Sequence, residues 1–230
     1  MVNLMTASAQ TAFQSLLKAR SFARSFARRL VTLAGTCVIA LGLSGTALAQ
    51  VEAPDALIKR VSTETLEKIQ KDPELAAGDV KKINALIDQS IMQHVNFQRM
   101  TSLAVGRAWR TATPDQQKQL QAEFRTLLVR SYATAFSAGK DRTVRMKPLR
   151  AAATDTDVTV TSELVPKRGE PTPVGYRLEK LADGWKVYDL NVLGVWLVDN
   201  YRNQFSQEIN AKGVDGLIKS LSDKNKTFGG

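Results

Sequence analysis

The clearest pattern of apolar and polar positions lies in residues 174–209, where the spacing of the apolar residues changes partway along. Val174, Tyr176 and Leu178 occupy every second position, which is typical of a strand with one buried face. Asp183-Gly184 follows and predicts a type I′ hairpin turn, since glycine adopts positive φ freely and aspartate better than most residues. Residues 174–192 are therefore expected to form a β-hairpin.

The second strand of this hairpin, residues 185–192, alternates less regularly. An ideal strand would place apolar residues on both of its sides, so both faces are expected to be covered. One side carries Trp185, Val187 and Asp189, and the other carries Tyr188, Leu190 and Val192. Beyond this strand, apolar residues spaced by three and four predict a helix lying across the sheet. They are Val198, Tyr201, Phe205 and Ile209.

Four helices are predicted before the first strand, because apolar residues recur at helical intervals in residues 54–70, 79–94, 97–106 and again after residue 114. Thr113-Pro114-Asp115-Gln116 is a strong helix start. It has threonine as N-cap, proline in the first turn and glutamine placed to complete a capping box. Gly139 is expected to end this fourth helix.

Two more strands are predicted between that helix and the hairpin. Val144 and Met146 alternate with basic residues, while Val158, Val160 and Leu164 alternate with polar ones. With the hairpin they give four sequential strands, most simply an antiparallel meander. A short helix over residues 214–221 and a fraying tail over 222–230 complete an α+β domain, in which helices precede a sheet and then close over it.

Residues 1–49 have the layout of a secretory signal peptide: five basic residues and no acidic one, an apolar run over 30–43, and Ala47-Leu48-Ala49 as a cleavage site. The alternative is a membrane anchor. It fits less well because the apolar run is shorter than the ~20 residues that span a bilayer. Residues 50–230 are then expected to form a single exported domain.

Loss of the leader lowers the net charge from +10 to +5, because five of the 32 basic residues and none of the 22 acidic residues leave with it. A surplus of this size, without blocks of lysine and arginine, does not favour nucleic acid as a partner. It is compatible with transient contact with a membrane surface, with an acidic partner protein, or with a merely solvated face. Cys37, the only cysteine, lies in the leader, so the exported domain has no thiol for a disulfide, a nucleophile or a metal site.

The rest of the chain offers little catalytic or metal-binding chemistry. His94 is the single histidine, which excludes Cys/His catalysis and multi-histidine metal sites and favours a structural role at a helix end. No G-x-S-x-G, G-x-G-x-x-G or Walker motif occurs. Asp157, Glu163 and Glu179 are predicted to face outward. Asp189 is the one candidate general base, against a structural role as a hydrogen-bonded aspartate at a strand end.

The predicted elements bring a large apolar surface together, with sheet positions opposed by helical ones. The sheet positions are Val144, Met146, Val158, Val160, Val174, Tyr176 and Leu178, and the opposing positions are Phe124, Leu128, Tyr132, Val195, Val198 and Tyr201. A filled core and a ligand cavity need similar residue types, so periodicity alone leaves both open.

A succession of short motifs resembles one known family. The motifs are Trp109, the Thr113-Pro114-x-Gln116 helix start, Phe124, Tyr132, Trp185-Lys186-Val187-Tyr188-Asp189, Gly194-Val195, Asn200-Tyr201-Arg202-Asn203-Gln204-Phe205 and Gly213-x-Asp215-Gly216-Leu217-Ile218. In this order they resemble the MlaC family, also called toluene-tolerance proteins, the periplasmic phospholipid-binding component of an ABC lipid-transport system. The resemblance covers nearly all of residues 50–230. Trp196 departs from it, since the family commonly has a small polar residue after Gly-Val.

The resemblance implies helices wrapped round a curved, roughly four-stranded antiparallel sheet, NTF2-like in general shape, that encloses an apolar lipid cavity. It implies phospholipid as cargo, no cofactor, and no catalytic or metal-binding residues. The implied partners in the periplasm are an outer-membrane lipoprotein-porin complex and an inner-membrane ABC transporter complex. The expected lipid-binding residues are Val195, Tyr132, Val160, Tyr176, Leu178, Val144, Met146, Val158, Leu128, Val198 and Tyr201.

Two other functions stay open beside the carrier. One is a cavity hydrolase or isomerase of NTF2-like shape that uses Asp189. The other is a periplasmic adaptor whose interior is filled and whose basic face docks an acidic partner.

Overall fold

The computed structural model of the protein describes residues 51–227, apart from the side chains of residues 134–138. The predicted signal peptide, residues 1–49, lies outside the described residues. The described α-helices are α1 (Pro54–Lys71), α2 (Pro73–Ala77), α3 (Val80–Ser90), α4 (Phe97–Val105), α5 (Pro114–Ser137) and α6 (Leu197–Thr227). The strands are β1 (Arg142–Met146), β2 (Asp157–Pro166), β3 (Thr172–Leu181), β4 (Gly184–Val192) and β5 (Val195–Trp196).

The predicted start of α5 is confirmed in detail. The Gln116 backbone N–H donates to Thr113 Oγ1 at 3.2 Å, and the Thr113 backbone N–H donates to Gln116 Oε1 at 2.9 Å, so the capping box is complete. The first predicted helix ends at Lys71, and Asp72-Pro73 leads into the short helix α2, which was not predicted. The Asp72 carboxylate accepts from the N–H groups of Glu74 and Leu75 and so caps this extra turn.

The last two predicted helices form one element, α6, with a kink at Gly213. Gly213 has φ 71°, which favours glycine, and a Cβ at Gly216 would collide with the Lys212 side chain. The predicted fraying of the tail is wrong as far as Thr227, because the helix continues to that residue. Asn225 is buried there and donates to the backbone oxygen of Glu123 at 2.9 Å.

The sheet is the predicted antiparallel meander, in the order β1-β2-β3-β4-β5. The sequence missed β5, a strand of two residues whose Val195 pairs with Val192. The hairpin between β3 and β4 is confirmed, but its predicted type I′ turn is wrong. The turn residues are Ala182 and Asp183, neither of which has positive φ, and Gly184 with φ 118° begins β4.

A β-bulge at Tyr188 changes which residues of β4 share a face. Arg177 pairs with Asp189 and Leu178 pairs with Val187, so Tyr188 is the extra residue of the bulge. The alternation restarts after it. Leu190 and Val192 therefore share a face with Trp185 and Val187, and Asp189 lies on the other face with Arg177, which corrects the predicted sidedness of this strand.

Three apolar clusters make up the core of the described residues. The helical cluster joins α4, α5 and α6 around Phe124, whose ring contacts Tyr201 and Phe205 edge to face at 4.9 and 5.1 Å between centroids. A second cluster packs the first half of α1 on the sheet, and a third packs the second half of α1 against α3 and α5. None of the helices within residues 51–227 has the length and apolar content to cross a bilayer.

Candidate functional site

The apolar side of the sheet is covered at one end and open at the other. We call the end of the sheet that carries the Ala182-Asp183 turn the hairpin end. There the paired residues Val158, Leu178 and Val187 are all buried. Towards the opposite end, here called the loop end, every row of paired side chains includes half-buried residues, although Ser162 and Val174 are buried, and in the last row Val144, Leu164 and Thr172 are all half-buried. Helical cover of this face therefore decreases along the sheet.

We call the half-buried apolar residues of this side the open face. They are Val144, Met146, Leu164, Tyr176, Leu190 and Val192. Tyr176 is the most informative of them, since it lies in the middle of the central strand β3, between Val160 and Leu190. A residue at such a position is normally buried, so its partial exposure shows that the helices cover the centre of the sheet incompletely.

The packing of the helices explains why this part of the sheet is incompletely covered. α1 contacts β1 and β2, whereas α4 and α6 contact β4. The helices therefore contact the sheet near its two edges, and the loop end of β3 lies between them. Leu128 and Tyr132 lie on one side of α5, half-buried against the helical cluster. Burial raises the pKa of the Tyr132 hydroxyl above its ordinary value.

One polar pair lies within this apolar region. Ser162 is fully buried on the inner side of β2, and its Oγ lies 3.4 Å from the Tyr176 hydroxyl oxygen. The remaining neighbours of Ser162 across the sheet are Met146 and Val174. The open face is thus an apolar surface with a pair of hydroxyl groups near its centre.

The predicted lipid-binding residues divide among several places. Val144, Met146 and Tyr176 belong to the open face. Val158, Val160 and Leu178 are buried against the first half of α1, and Val198 and Tyr201 are buried in the helical cluster, next to the half-buried Leu128 and Tyr132. Val195 pairs with Val192 of the open face and so lies on the same side of the sheet, but it is 51% exposed on β5 at the loop end.

Sequence reasoning placed Leu190 and Val192 on the wrong side of β4, and it did not include Leu164 among the lining residues. The first error comes from the bulge at Tyr188, which no local residue pattern announces. Leu164 could have been identified as a lining residue from the alternation of apolar and polar residues in β2.

Trp196, the departure from the family pattern, is turned away from the open face. Its ring lies 3.9 Å from the guanidinium carbon of Arg177, on the outer side of the sheet. A Cβ at Gly175 would lie 3.3 Å from the indole, so this glycine allows the ring to lie close against β3. The indole therefore leaves the inner side of the sheet unchanged.

Asp189 has a structural role. It is 0% exposed, and its Oδ1 accepts from the backbone N–H groups of Leu190 and Val198 at 2.8 and 3.0 Å. Its Oδ2 accepts from Arg177 Nη1 at 2.9 Å. Burial raises the pKa of this carboxyl above its usual value, although these bonds act in the opposite direction. Both oxygens thus hold the start of α6 and the Arg177 side chain in place.

The carboxylates predicted to face outward do so, and each lies beside a cation. Glu163 contacts Arg145 at 2.6 Å, and Arg99 Nη1 donates to Glu179 at 2.6 Å. Arg99 also contacts Asp157 at 3.1 Å, and Asp157 accepts from the Tyr188 hydroxyl at 2.8 Å. Burial, assisted by Asp157, raises the pKa of Tyr188 to about 12. Within residues 51–227, no cluster of His, Cys, Asp and Glu is arranged to hold a metal ion.

His94 ends a short 3-10 helix, and burial, with Arg60 and Lys186 nearby, lowers its pKa from 6.5. Because the folded state favours the neutral ring, folding stability should be full above pH 6.5 and should decrease as the pH falls through the lowered pKa. Chemical denaturation at a series of pH values measures this. His94→Gln should remove this part of the pH dependence, and an identical profile in the variant would contradict the assignment.

Comparison with known proteins shows that the sequence and the fold are similar to those of lipid-binding proteins. A family model described as MlaC protein matches residues 59–223. An intermembrane phospholipid transport system binding protein MlaC of Haemophilus influenzae is 18% identical over 179 residues, which are 76% of this chain and 83% of the relative. The toluene tolerance protein Ttg2D of Pseudomonas putida is 22% identical over 165 residues, 71% of this chain and 76% of the relative.

A solved structure is similar to this one over most of the chain. It is a phospholipid-binding protein from Ralstonia solanacearum in complex with a phospholipid. The sequence identity is 42% and the TM-score is 0.75, with coverage of 78% of this chain and 100% of the other.

Proposed function

This chain belongs to the MlaC family, and from that premise we propose that it is a periplasmic phospholipid carrier that holds acyl chains against the open face. The family resemblance seen in the sequence is thereby confirmed. MlaC proteins are non-enzymatic lipid carriers, which agrees with the prediction that the chain is not an enzyme. The phospholipid is cargo, bound and later released without chemical change.

The single observation that supports the acyl-chain site is the incomplete burial of Tyr176 at the centre of the inner face, beside the half-buried Leu190. Apolar side chains left accessible inside a fold lose the free energy that burial would provide. An acyl chain laid along the open face would cover them. The enclosed cavity predicted from the family remains a prediction, as does the expected set of lining residues.

The free energy of transfer of an acyl chain determines how much apolar contact the carrier must provide. Transfer of one acyl chain of ~16 carbons from membrane to water costs more than about 10 kcal/mol, at ~0.8 kcal/mol for each CH₂ group. A carrier must replace most of that by apolar contact and still release the lipid. Most open-face residues are only partly buried against the three clusters, so an acyl chain could cover them without displacing a fully buried residue.

We infer the partners from the family as well. The carrier would receive or deliver lipid at an outer-membrane lipoprotein-porin complex and at an inner-membrane ABC transporter complex, and so maintain outer-membrane lipid asymmetry. The name of the Haemophilus influenzae relative, which describes an intermembrane phospholipid transport system, supports this proposal. The predicted export signal in residues 1–49 supports a periplasmic location.

Lipid extraction from the purified protein tests the proposed function. We expect phospholipid in a fixed ratio to protein after organic extraction and mass analysis, and uptake of phospholipid from liposomes by stripped protein. Repeated recovery of lipid-free protein that takes up no lipid would overturn the proposal. It would favour an adaptor with a filled interior.

A further inference from the structure

The turn between β4 and β5 has a conformation that its sequence does not favour. Val192 and Val195 pair across it, and the two residues between them, Leu193 and Gly194, have φ 53° and 87°. Positive φ at both positions is the type I′ pattern, for which Asn-Gly is the preferred pair. Leu193 is the only non-glycine residue with positive φ in the described chain.

This leucine gains nothing from packing. It is 71% exposed, and Val195 beside it is 51% exposed. The turn itself is held by Asn191, whose side-chain oxygen accepts from the Gly194 N–H at 3.0 Å. A strained backbone carrying an exposed leucine opposes folding stability, so the position indicates a function outside the fold. We call Leu193 and Val195 the apolar tip.

Basic side chains lie at the same end of the sheet as the apolar tip. The register places the start of β1, the β2–β3 loop and the β4–β5 turn together at the loop end. The basic residues there, which we call the basic rim, are Lys140, Arg142, Lys167 and Arg168, against Asp141 and Glu170 as acids. Lys167 and Asp141 pair at 2.8 Å, so the rim keeps a positive surplus.

The basic rim also borders a cleft of about 240 Å³, lined by residues that include Gln70, Lys140, Arg142 and Lys167. Three strand spacings of ~4.8 Å separate β1 from β4, so rim and tip lie roughly 15 Å apart across one end of the molecule. The open face is most accessible at this same end. Cations beside exposed aliphatic side chains are the combination that binds an anionic lipid surface.

We propose that the loop end docks on anionic phospholipid bilayers, with Leu193 entering the headgroup layer and the basic rim lying over lipid phosphates. The proposal rests on the carrier function proposed above, for which it names the surface that meets the membrane. A protein partner fits the tip less well, because two aliphatic side chains supply little of the 20–30 residues that each side of a stable protein interface contributes. Such weak contact suits a carrier that must leave the membrane again.

Vesicle flotation of the purified protein tests this docking, with phosphatidylcholine vesicles and with vesicles containing about one third phosphatidylglycerol. We expect binding to the anionic vesicles, weakened by salt. Leu193→Asn should lower the bound fraction at least about fivefold, since it removes an inserted leucine. The same change should keep or raise the melting temperature, because asparagine tolerates positive φ. Leu181→Asn is the matched control, since Leu181 is 39% exposed at the hairpin end, and it should bind like the wild type.

Charge variants give a second arm. Arg168→Gln should lower binding to anionic vesicles by about fivefold, whereas Lys180→Gln at the hairpin end should have no effect. Wild-type protein that does not float with anionic vesicles, or floats equally well as Leu193→Asn, overturns the proposal. Flotation that requires membrane proteins in the vesicles also overturns it and favours a protein partner.

Bound phospholipid is measured in the same samples, which separates this proposal from the carrier function. Leu193→Asn should retain as much phospholipid as the wild type, because Leu193 lies outside the open face. Protein that never carries lipid but floats through Leu193 would sink the carrier function alone. Protein that carries lipid and ignores vesicles would sink the docking alone.

Discussion

Leu164→Glu is expected to give a folded protein that carries no phospholipid. Leu164 lies in the open face, half-buried near the loop end of β2, so a glutamate can reach solvent in the lipid-free protein. We expect a loss of about 1 to 2 kcal/mol in the free energy of unfolding. With an acyl chain present, the carboxylate would be an unpaired charge among methylene groups, which costs more than about 3 kcal/mol and lowers lipid affinity roughly 100-fold.

Val165→Glu is the matched control. Val165 is the next residue of β2, equally half-buried but on the outer face, where it lines the cleft beside Lys140 and Lys167. The same charge change there should leave bound lipid at the wild-type level in native mass spectrometry. Lipid retained by a folded Leu164→Glu protein, or lost equally from both variants, would count against the open face as the acyl-chain site.

Asp189→Ala is expected to lower the free energy of unfolding by about 3 kcal/mol. This is the largest loss that we expect from a single substitution near the site. The substitution leaves the N–H groups of Leu190 and Val198 without their acceptor and removes the partner of Arg177. Chemical denaturation monitored by circular dichroism measures the effect.

Asp199→Ala provides the comparison, because Asp199 lies 3.6 Å from the same arginine but its side chain is 52% exposed. An exposed pair of this kind contributes less than about 1 kcal/mol. Similar losses in the two variants would show that the burial of Asp189 does not matter. A folded Asp189→Asn protein that lost a phospholipid-hydrolysing activity of the wild type would revive the enzyme hypothesis.

The fold could be predicted from the sequence where interactions between residues close together in the chain determine it. The Thr113 and Gln116 side chains specify the start of α5, and the strict alternation in β2 and β3 specifies their inner faces, so these elements follow from the sequence. α6 was predicted in two parts, one with apolar residues from Val198 to Ile209 and one over residues 214–221, with Gly213 between them. The chain instead bends there, since Gly216 leaves room for the turn at Lys212.

The predictions were wrong where contacts with other parts of the chain determine the local backbone conformation. A type I′ turn was predicted at Asp183-Gly184, yet that conformation occurs at Leu193-Gly194, where the pairing of Val192 with Val195 imposes it. The bulge at Tyr188 reversed the sidedness of half of β4, and with it the place of Leu190. Bulges and imposed turns depend on the neighbouring strand, which local residue patterns do not describe.

The open face could be predicted only in part. Periodicity identified Val144, Met146 and Tyr176 as inward residues, but it treats them like Val160 and Leu178, which are fully buried. The difference depends on where α1, α4 and α6 meet the sheet, and that arrangement needs the three-dimensional structure. Family resemblance supplied the expectation of lipid, and the half-exposed rows near the loop end indicate where it would lie.

The most direct measurement is photocrosslinking with a phospholipid that carries a diazirine near the end of one acyl chain. After loading, irradiation and proteolysis, mass spectrometry locates the labelled residues. We expect labels on the inner face, at residues such as Tyr176 and Leu190, and their loss in Leu164→Glu. Labels confined to the outer face of the sheet, at residues such as Thr159 or Arg145, would contradict it.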